Sequence, residues 1–247
     1  MTKTGNIFRS LLFIVIIAAC SNSAKMTADA LLEKALVAHG SENINGKEIK
    51  FDFRDWSYTL NRNDNSYEYT RIKDSIEDRL HSNSGFSRFV NGEKVKVADS
   101  MATKYSSSVN SVLYFFQLPL VLNDAAVQKE YLGTQGIKEQ NYHRLKVTFR
   151  QEGGGEDFED EFRYWINAET FEIDYLAYSY LTDGGGVRFR EAFRKERISN
   201  ILFQDYRNFK PNDKNTPLDS LPGLFEKGSL QLLSVIENKN IRIEPAD

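Results

Sequence analysis

FEDEFRYWINAETFEIDYLAYSY, residues 158–180, decides how the rest of the chain is read. Phe158, Phe162, Tyr164 and Ile166 fall on one side of an extended segment, with Asp160 among them. The tetrapeptide NAET, 167–170, turns the chain back into a second extended segment, where Ile173, Tyr175 and Ala177 lie opposite Leu176, Tyr178 and Tyr180. A period of two identifies strands, and apolar residues on both sides of a strand call for cover on both faces.

The same reading extends outward. Upstream, NYHRLKVTFR at 141–150 sets His143, Leu145, Val147 and Phe149 on one face, and the glycine-rich loop 151–157 joins it to the quoted hairpin. Downstream, residues 186–197 and 198–209 form another antiparallel pair. Asn91-Gly92 between two extended runs is a two-residue hairpin signal, and the polar run 61–65 is a hairpin loop. In EIKFDFR, Ile49, Phe51 and Phe53 alternate with charges, then the phase flips to Trp56, Tyr58 and Leu60, which predicts one long strand with a bulge near Asp55. The segment 210–223 is Pro- and Asn-rich loop, followed by a short helix or turn at 224–228 and final strands at 230–236 and 241–243.

Helical spacing occurs at residues 27–39, ending at Gly40, and again from Tyr105 to Phe116, where Pro119 prevents continuation. Strand succeeding strand locally implies an antiparallel meander without the crossovers of a parallel sheet. The expected architecture is mainly β (α+β): one curved antiparallel sheet of about eleven strands, an incomplete barrel, with two or three helices over its concave face. It forms a single domain at 27–247.

The chain has 247 residues, 40% hydrophobic and 27% charged, with 17 Phe and 12 Tyr, a globular and aromatic-rich composition. It begins MTKTGNIFRSLLFIVIIAAC: Lys3 and Arg9, then an apolar run from Leu11 to Ala19. That run is shorter than the roughly 20 residues that span a bilayer and reads as a signal peptide, 1–19. Ile17-Ala18-Ala19-Cys20 resembles a bacterial lipobox, which implies lipidation of Cys20 and a polar tether over 20–26. As the single cysteine, Cys20 can form no internal disulfide. Ser21 and Asn22, with no aspartate directly after the cysteine, resemble lipoproteins sorted to the outer membrane. The expected location is therefore the cell envelope, on an outer membrane, facing the periplasm. Loss of Lys3 and Arg9 takes the formal charge from -3 to -5, which argues against nucleic acid as a partner.

Few motifs carry chemistry. His39, His81 and His143 have no metal-ligand spacing, and no metal or cofactor is expected. The serine-rich 104–111 lacks the glycine elbow of a hydrolase nucleophile, and neither glycine run resembles a phosphate loop. Alternation splits the acidic run 156–161, so its oxygens do not converge as calcium requires. His143, Asp160 and Glu191 do stand out as polar residues on apolar faces. With Arg188, Arg190 and Arg194 on the other face of their strand, and Arg144 and Arg163 on adjacent strands, they form either a network of paired charges or a polar cluster that orients a ligand's head group. An alternative is an enzyme using His143 and Asp160 as an acid/base pair.

Several longer stretches, SVNSVLYFFQLPLVLNDAAV (108–127), YHRLKVTF (142–149), GGEDFEDEFRYW (154–165) and GGVRFREAF (185–193), resemble a family of uncharacterised bacterial lipoproteins. The architecture resembles that of Lol-type lipoprotein carriers. The resemblance implies a half-barrel with an apolar cavity between sheet and helices, lined here by Val112, Leu113, Phe116, Phe158, Phe162, Tyr164 and Tyr175. These residues equally suit a solid core. The implied partners are a membrane, through acylated Cys20, and a hydrophobic small molecule or lipid; a structural or assembly lipoprotein is a third reading.

Overall fold

A computed structural model describes residues 25–63, 66–152 and 158–245. The signal peptide, Cys20, Ser21 and Asn22, the tip of the 61–65 loop and the glycines at 153–155 lie outside the described residues. The described chain opens with α1 (Ala28–His39), whose first turn is capped by Thr27: its Oγ1 accepts from the Ala30 amide at 3.2 Å. Gly40 ends the helix with φ 65°, and a Cβ there would sit 1.9 Å from the Asn200 carbonyl oxygen, so both conformation and space require glycine.

Next come β1 (Lys47–Phe53), β2 (Trp56–Arg62), β3 (Tyr67–Lys73), β4 (Ile76–His81), β5 (Gly85–Val90) and β6 (Glu93–Val95). Helix α2 (Asp99–Phe116) begins one and a half turns earlier than its apolar spacing predicts, because its first turns are exposed and polar. After a short turn at Leu120–Asn123 follow β7 (Val127–Ile137), β8 (Gln140–Phe149), β9 (Glu161–Asn167), β10 (Ile173–Tyr180), β11 (Gly186–Ile198) and β12 (Ile201–Lys210). Helix α3 (Leu221–Glu226), β13 (Gln231–Ile236) and β14 (Lys239–Pro245) complete the described chain.

These strands make two antiparallel sheets of seven, not one of about eleven. The first runs β14-β1-β2-β3-β4-β5-β6 and the second β13-β12-β11-β10-β9-β8-β7. Three strands account for the undercount: β4 (Ile76–His81), which the sequence expectation leaves out, together with β2 and β7. The stretch read as one bulged strand is a tight hairpin, with Phe53 paired to Trp56 and Arg54 in the left-handed region at φ 57°. Strand β7 carries no clean period of two, since its alternation is interrupted by a register shift between Tyr131 and Thr134. Such turns are made by residues other than glycine: Lys138-Glu139 and Ser199-Asn200 both take positive φ, the conformation of a hairpin turn whose twist matches its strands.

The chain passes from β13 on one sheet to β14 on the other within two residues, Glu237 and Asn238. Asn238 fixes this corner: its amide donates to Asp205 Oδ1 at 2.8 Å and its Nδ2 to the Gln204 carbonyl at 3.2 Å. Helix α2 is the wedge between the sheets. Val109, Leu113 and Phe116 pack against Phe51, Tyr58 and Leu60 of the first sheet, whereas Tyr114 and Phe115 pack against Phe162 and Tyr178 of the second.

The second sheet is covered twice. Leu145, Val147, Phe162, Tyr164 and Ile166 meet α1 residues Leu31, Leu32 and Ala35 on one face. On the other, Trp165, Tyr175 and Phe189 meet Leu218, Leu221 and Phe225 at and beside α3. The helices therefore do not all share one face: adjacent Tyr164 and Trp165 point to opposite sides, and α3 sits with Trp165. This double cover is why rings crowd both sides of the 158–180 hairpin.

Candidate functional site

Beside α2 the two sheets leave a hollow of about 580 Å³. Its apolar wall comes from the sheet-facing side of α2, with Val112, Phe115 and Phe116, and from the ring pair Phe162 and Tyr178. Those two rings are cross-strand partners on β9 and β10, stacked with centroids 5.3 Å apart. Exposed Arg54, Asp55, Ser111 and Thr182 rim it, whereas its deeper wall holds buried Tyr206 and Arg190.

A buried ionic cluster secures α2 to the first sheet. Asp78, fully buried, accepts from Arg71 Nε at 2.9 Å and from Arg88 Nε at 2.6 Å, and Arg71 Nη1 donates to Ser108 Oγ on α2 at 2.7 Å. Each guanidinium also lies on a ring, Arg71 4.5 Å from the Trp56 centroid and Arg88 3.5 Å from that of Tyr105. Charges removed from water are tolerated when paired in this way. Below, Gln117 Nε2 donates to Tyr69 Oη at 2.9 Å, and burial pushes the Tyr69 phenol up to about 12.

On the opposite wall, Tyr114 and Tyr164 share a hydrogen bond of 3.1 Å, and burial raises both phenols above their ordinary range. Burial does the same to Tyr206. These hydroxyls remain protonated at any physiological pH and act as neutral polar groups in an apolar surround.

Val112, Phe116 and Phe162 of the expected cavity residues line the hollow. Leu113 is fully buried in the contact between α2 and the first sheet, and Tyr164 lies behind the wall, also fully buried. Tyr175 points to the other face of the second sheet, its ring centroid 5.7 Å from that of Phe225 in α3. Phe158 stands partly buried ahead of β9, outside the lining.

The polar residues do not gather either. His143 bonds Tyr131 Oη through Nδ1 at 3.0 Å and stacks on Phe171; burial, then the Lys34 charge, lowers its pKa. Glu191 pairs with Lys138 and Arg207, each at 3.0 Å, on the face of Trp165. Asp160 alone of the three lines the hollow. His143 lies opposite Ile166, six residues along from Asp160, about 20 Å at the rise of a strand. An acid and a base so far apart cannot serve one substrate atom.

The arginines divide differently from the carboxylates. Arg144 and Arg163 both reach Asp219, at 3.6 and 3.2 Å, and Arg194 pairs with Asp205. Arg188 and Arg190, which alternation places together on one side of β11, line the hollow. That face of β11, not the face of Val187 and Phe189, looks toward the hollow; the alternation of RFREAF marks the two faces, and the more apolar one packs against α3.

Among the described residues no helix is long and apolar enough to cross a membrane. The model of a family of unknown function (DUF6503) matches residues 6–238. No curated protein matches the chain. Of solved structures, a DUF1329 family protein from Desulfovibrio piger is similar at 11% identity and TM-score 0.53, over 87% of this chain and 92% of that one. A LolA superfamily protein from Nitrosomonas europaea matches at 12% identity and TM-score 0.42, over 88% and 94%. A putative outer membrane lipoprotein-sorting protein domain from Vibrio parahaemolyticus matches at 5% identity and TM-score 0.45, over 86% and 93%. The shared fold rests on the first of these.

Proposed function

The chain belongs to the DUF6503 family of unknown function, and we propose that it is an envelope lipoprotein that holds a hydrophobic or amphiphilic molecule in the hollow between its two sheets. The observation that carries this reading is the hollow itself. At about 580 Å³ it falls within the range of small-molecule sites, roughly 300–1,000 Å³, and its wall is amphipathic, with eleven aromatic rings alongside thirteen polar or charged side chains, as a molecule with an apolar body and a polar end requires. The hollow opens to solvent past exposed Arg54, Asp55, Ser111 and Thr182, which gives a guest a way in.

Acylation of Cys20 supplies the tether in this proposal. Each buried methylene contributes about 0.8 kcal/mol, so two or more acyl chains hold the protein on a membrane. Cys20→Ser is expected to abolish incorporation of labelled palmitate and membrane fractionation; incorporation unaffected by that change contradicts the anchor. The outer membrane, facing the periplasm, is the proposed location.

Native mass spectrometry of protein extracted from its own membranes tests the binding reading. We expect a population heavier by the mass of a lipophile, released by organic extraction. Protein that carries none, and takes up no added fluorescent fatty acid, contradicts it.

A further inference from the structure

Arg190 is 8% exposed, yet it enters none of the ion pairs among the described residues. The other two arginines buried to this degree, Arg71 and Arg163, are matched to Asp78 and Asp219. Arg190 Nη2 donates to Tyr178 Oη at 3.0 Å, and the guanidinium lies 3.6 Å from the Phe115 ring centroid. Its Nε has no hydrogen-bond partner. Buried polar groups are nearly always satisfied, and a desolvated charge is costly unless paired, so an unmatched guanidinium in the wall of a hollow requires an account.

Its surroundings give one. Arg188, two residues along the same side of β11, also lines the hollow and donates to the Val187 carbonyl at 2.9 Å, and enters no ion pair among the described residues. Asn208, the register partner of Arg190 on β12, leaves Oδ1 buried and unpartnered in the same wall. The lining carboxylates are Asp55, which pairs with Lys73, and Asp160. Positive charge thus exceeds negative around this hollow, in a chain whose formal charge is -3.

We infer that the ligand is an amphiphile with an oxyanion head group, received by Arg190 while its tail lies against Phe115, Phe162 and Val112; the inference rests on the binding reading above. The guanidinium is a planar fork of donors that matches a carboxylate or phosphate with two parallel bonds, and the ring beneath it holds the plane in place. Asn208 Oδ1 can accept from a head-group hydroxyl. The overall negative charge repels anions at a distance, so selection is local, within the hollow.

The test uses purified full-length protein loaded with the neutral fluorescent lipophile N-phenyl-1-naphthylamine. Oleate, lysophosphatidate and the neutral monoolein compete for it. Both anions are expected to displace the dye at concentrations at least about tenfold below monoolein, with the better of the two telling carboxylate from phosphate. Arg190→Gln is expected to weaken the anions roughly 30-fold or more while weakening dye and monoolein by less than about threefold, and Arg190→Lys to restore part of the loss.

Monoolein competing as well as the anions, or anion competition unaltered by Arg190→Gln, overturns the head-group assignment and leaves the hollow as a binding site. Failure of the wild-type protein to bind the dye and every competitor overturns the binding reading itself. If Arg190→Gln does not fold, the wild-type contrast between anionic and neutral competitors still decides the matter.

Discussion

The two sheets have equal strand number and opposite character. In the first, burial alternates: Phe51, Leu60 and Tyr69 face inward while Lys50, Thr59 and Thr70 face out, so only one side is covered. In the second, β9 buries six residues in succession, Phe162 to Asn167, and β12 buries Ile201 to Tyr206. One sheet is a lining, the other the centre of a sandwich between α1 and α3. Antiparallel sheets with one solvated face alternate, and those covered twice do not. The hollow forms where the one-sided sheet, held by α2 and the Asp78 cluster, fails to close on the two-sided one.

The largest expected effect tests the sandwich. Trp165 is fully buried on the α3 side, and Trp165→Ala should destabilise the protein by roughly 3–5 kcal/mol in chemical denaturation, by lost transfer energy plus a cavity. A loss under about 1 kcal/mol would mean that α3 does not cover that face. Asp78→Ala probes the lining sheet. It strands Arg71 and Arg88 in the interior and should cost about 3 kcal/mol, with the triple variant Arg71→Met/Asp78→Leu/Arg88→Met, which removes all three charges, recovering much of it.

A pH effect reports on α1 docking to the second sheet. His39 is buried, its Nε2 accepts from the Ile173 amide at 3.0 Å, and its pKa is lowered to about 3, first by burial and then by Lys195 and Arg197. The unfolded imidazole, with pKa about 6.5, therefore binds a proton before the folded one does. This contribution is fully present above pH 6.5 and is lost as pH falls from there toward 3, by roughly 1.4 kcal/mol at pH 5.5. Comparison of stability against pH for wild type and His39→Gln isolates it; identical slopes would contradict burial of a neutral His39. The smallest effect belongs on the open face of the lining sheet, where Glu48→Ala removes a solvent-exposed pair with Lys50 and should change stability by less than about 1 kcal/mol.

The contrast between the sheets also explains what could be read from sequence. Period-two segments, α1, and the stop at Pro119 were legible because local patterning fixes them. The 53–56 hairpin was not, because Arg54 takes positive φ without glycine to announce it. Nor was the split into two sheets, which depends on a corner at Glu237 and Asn238 fastened by residues more than thirty positions earlier. For the site, Val112, Phe116 and Phe162 were legible as rings and branches on faces that meet. That Tyr175 does not share their face, and Glu191 does not join Asp160, was not legible, because strands buried on both sides carry no mark of which side looks inward. Arg188 and Arg190 were visible only as counter-charges, since absence of a partner is a property of the folded chain.

If the space between the sheets receives a guest, Val112, partly buried in the α2 wall, is the place to fill it. Titration of wild type and Val112→Trp with N-phenyl-1-naphthylamine measures this most directly. The wild type is expected to bind saturably and the filled variant at least tenfold more weakly at nearly unchanged stability; equal affinity in the two proteins would mean that the guest does not lie between the sheets.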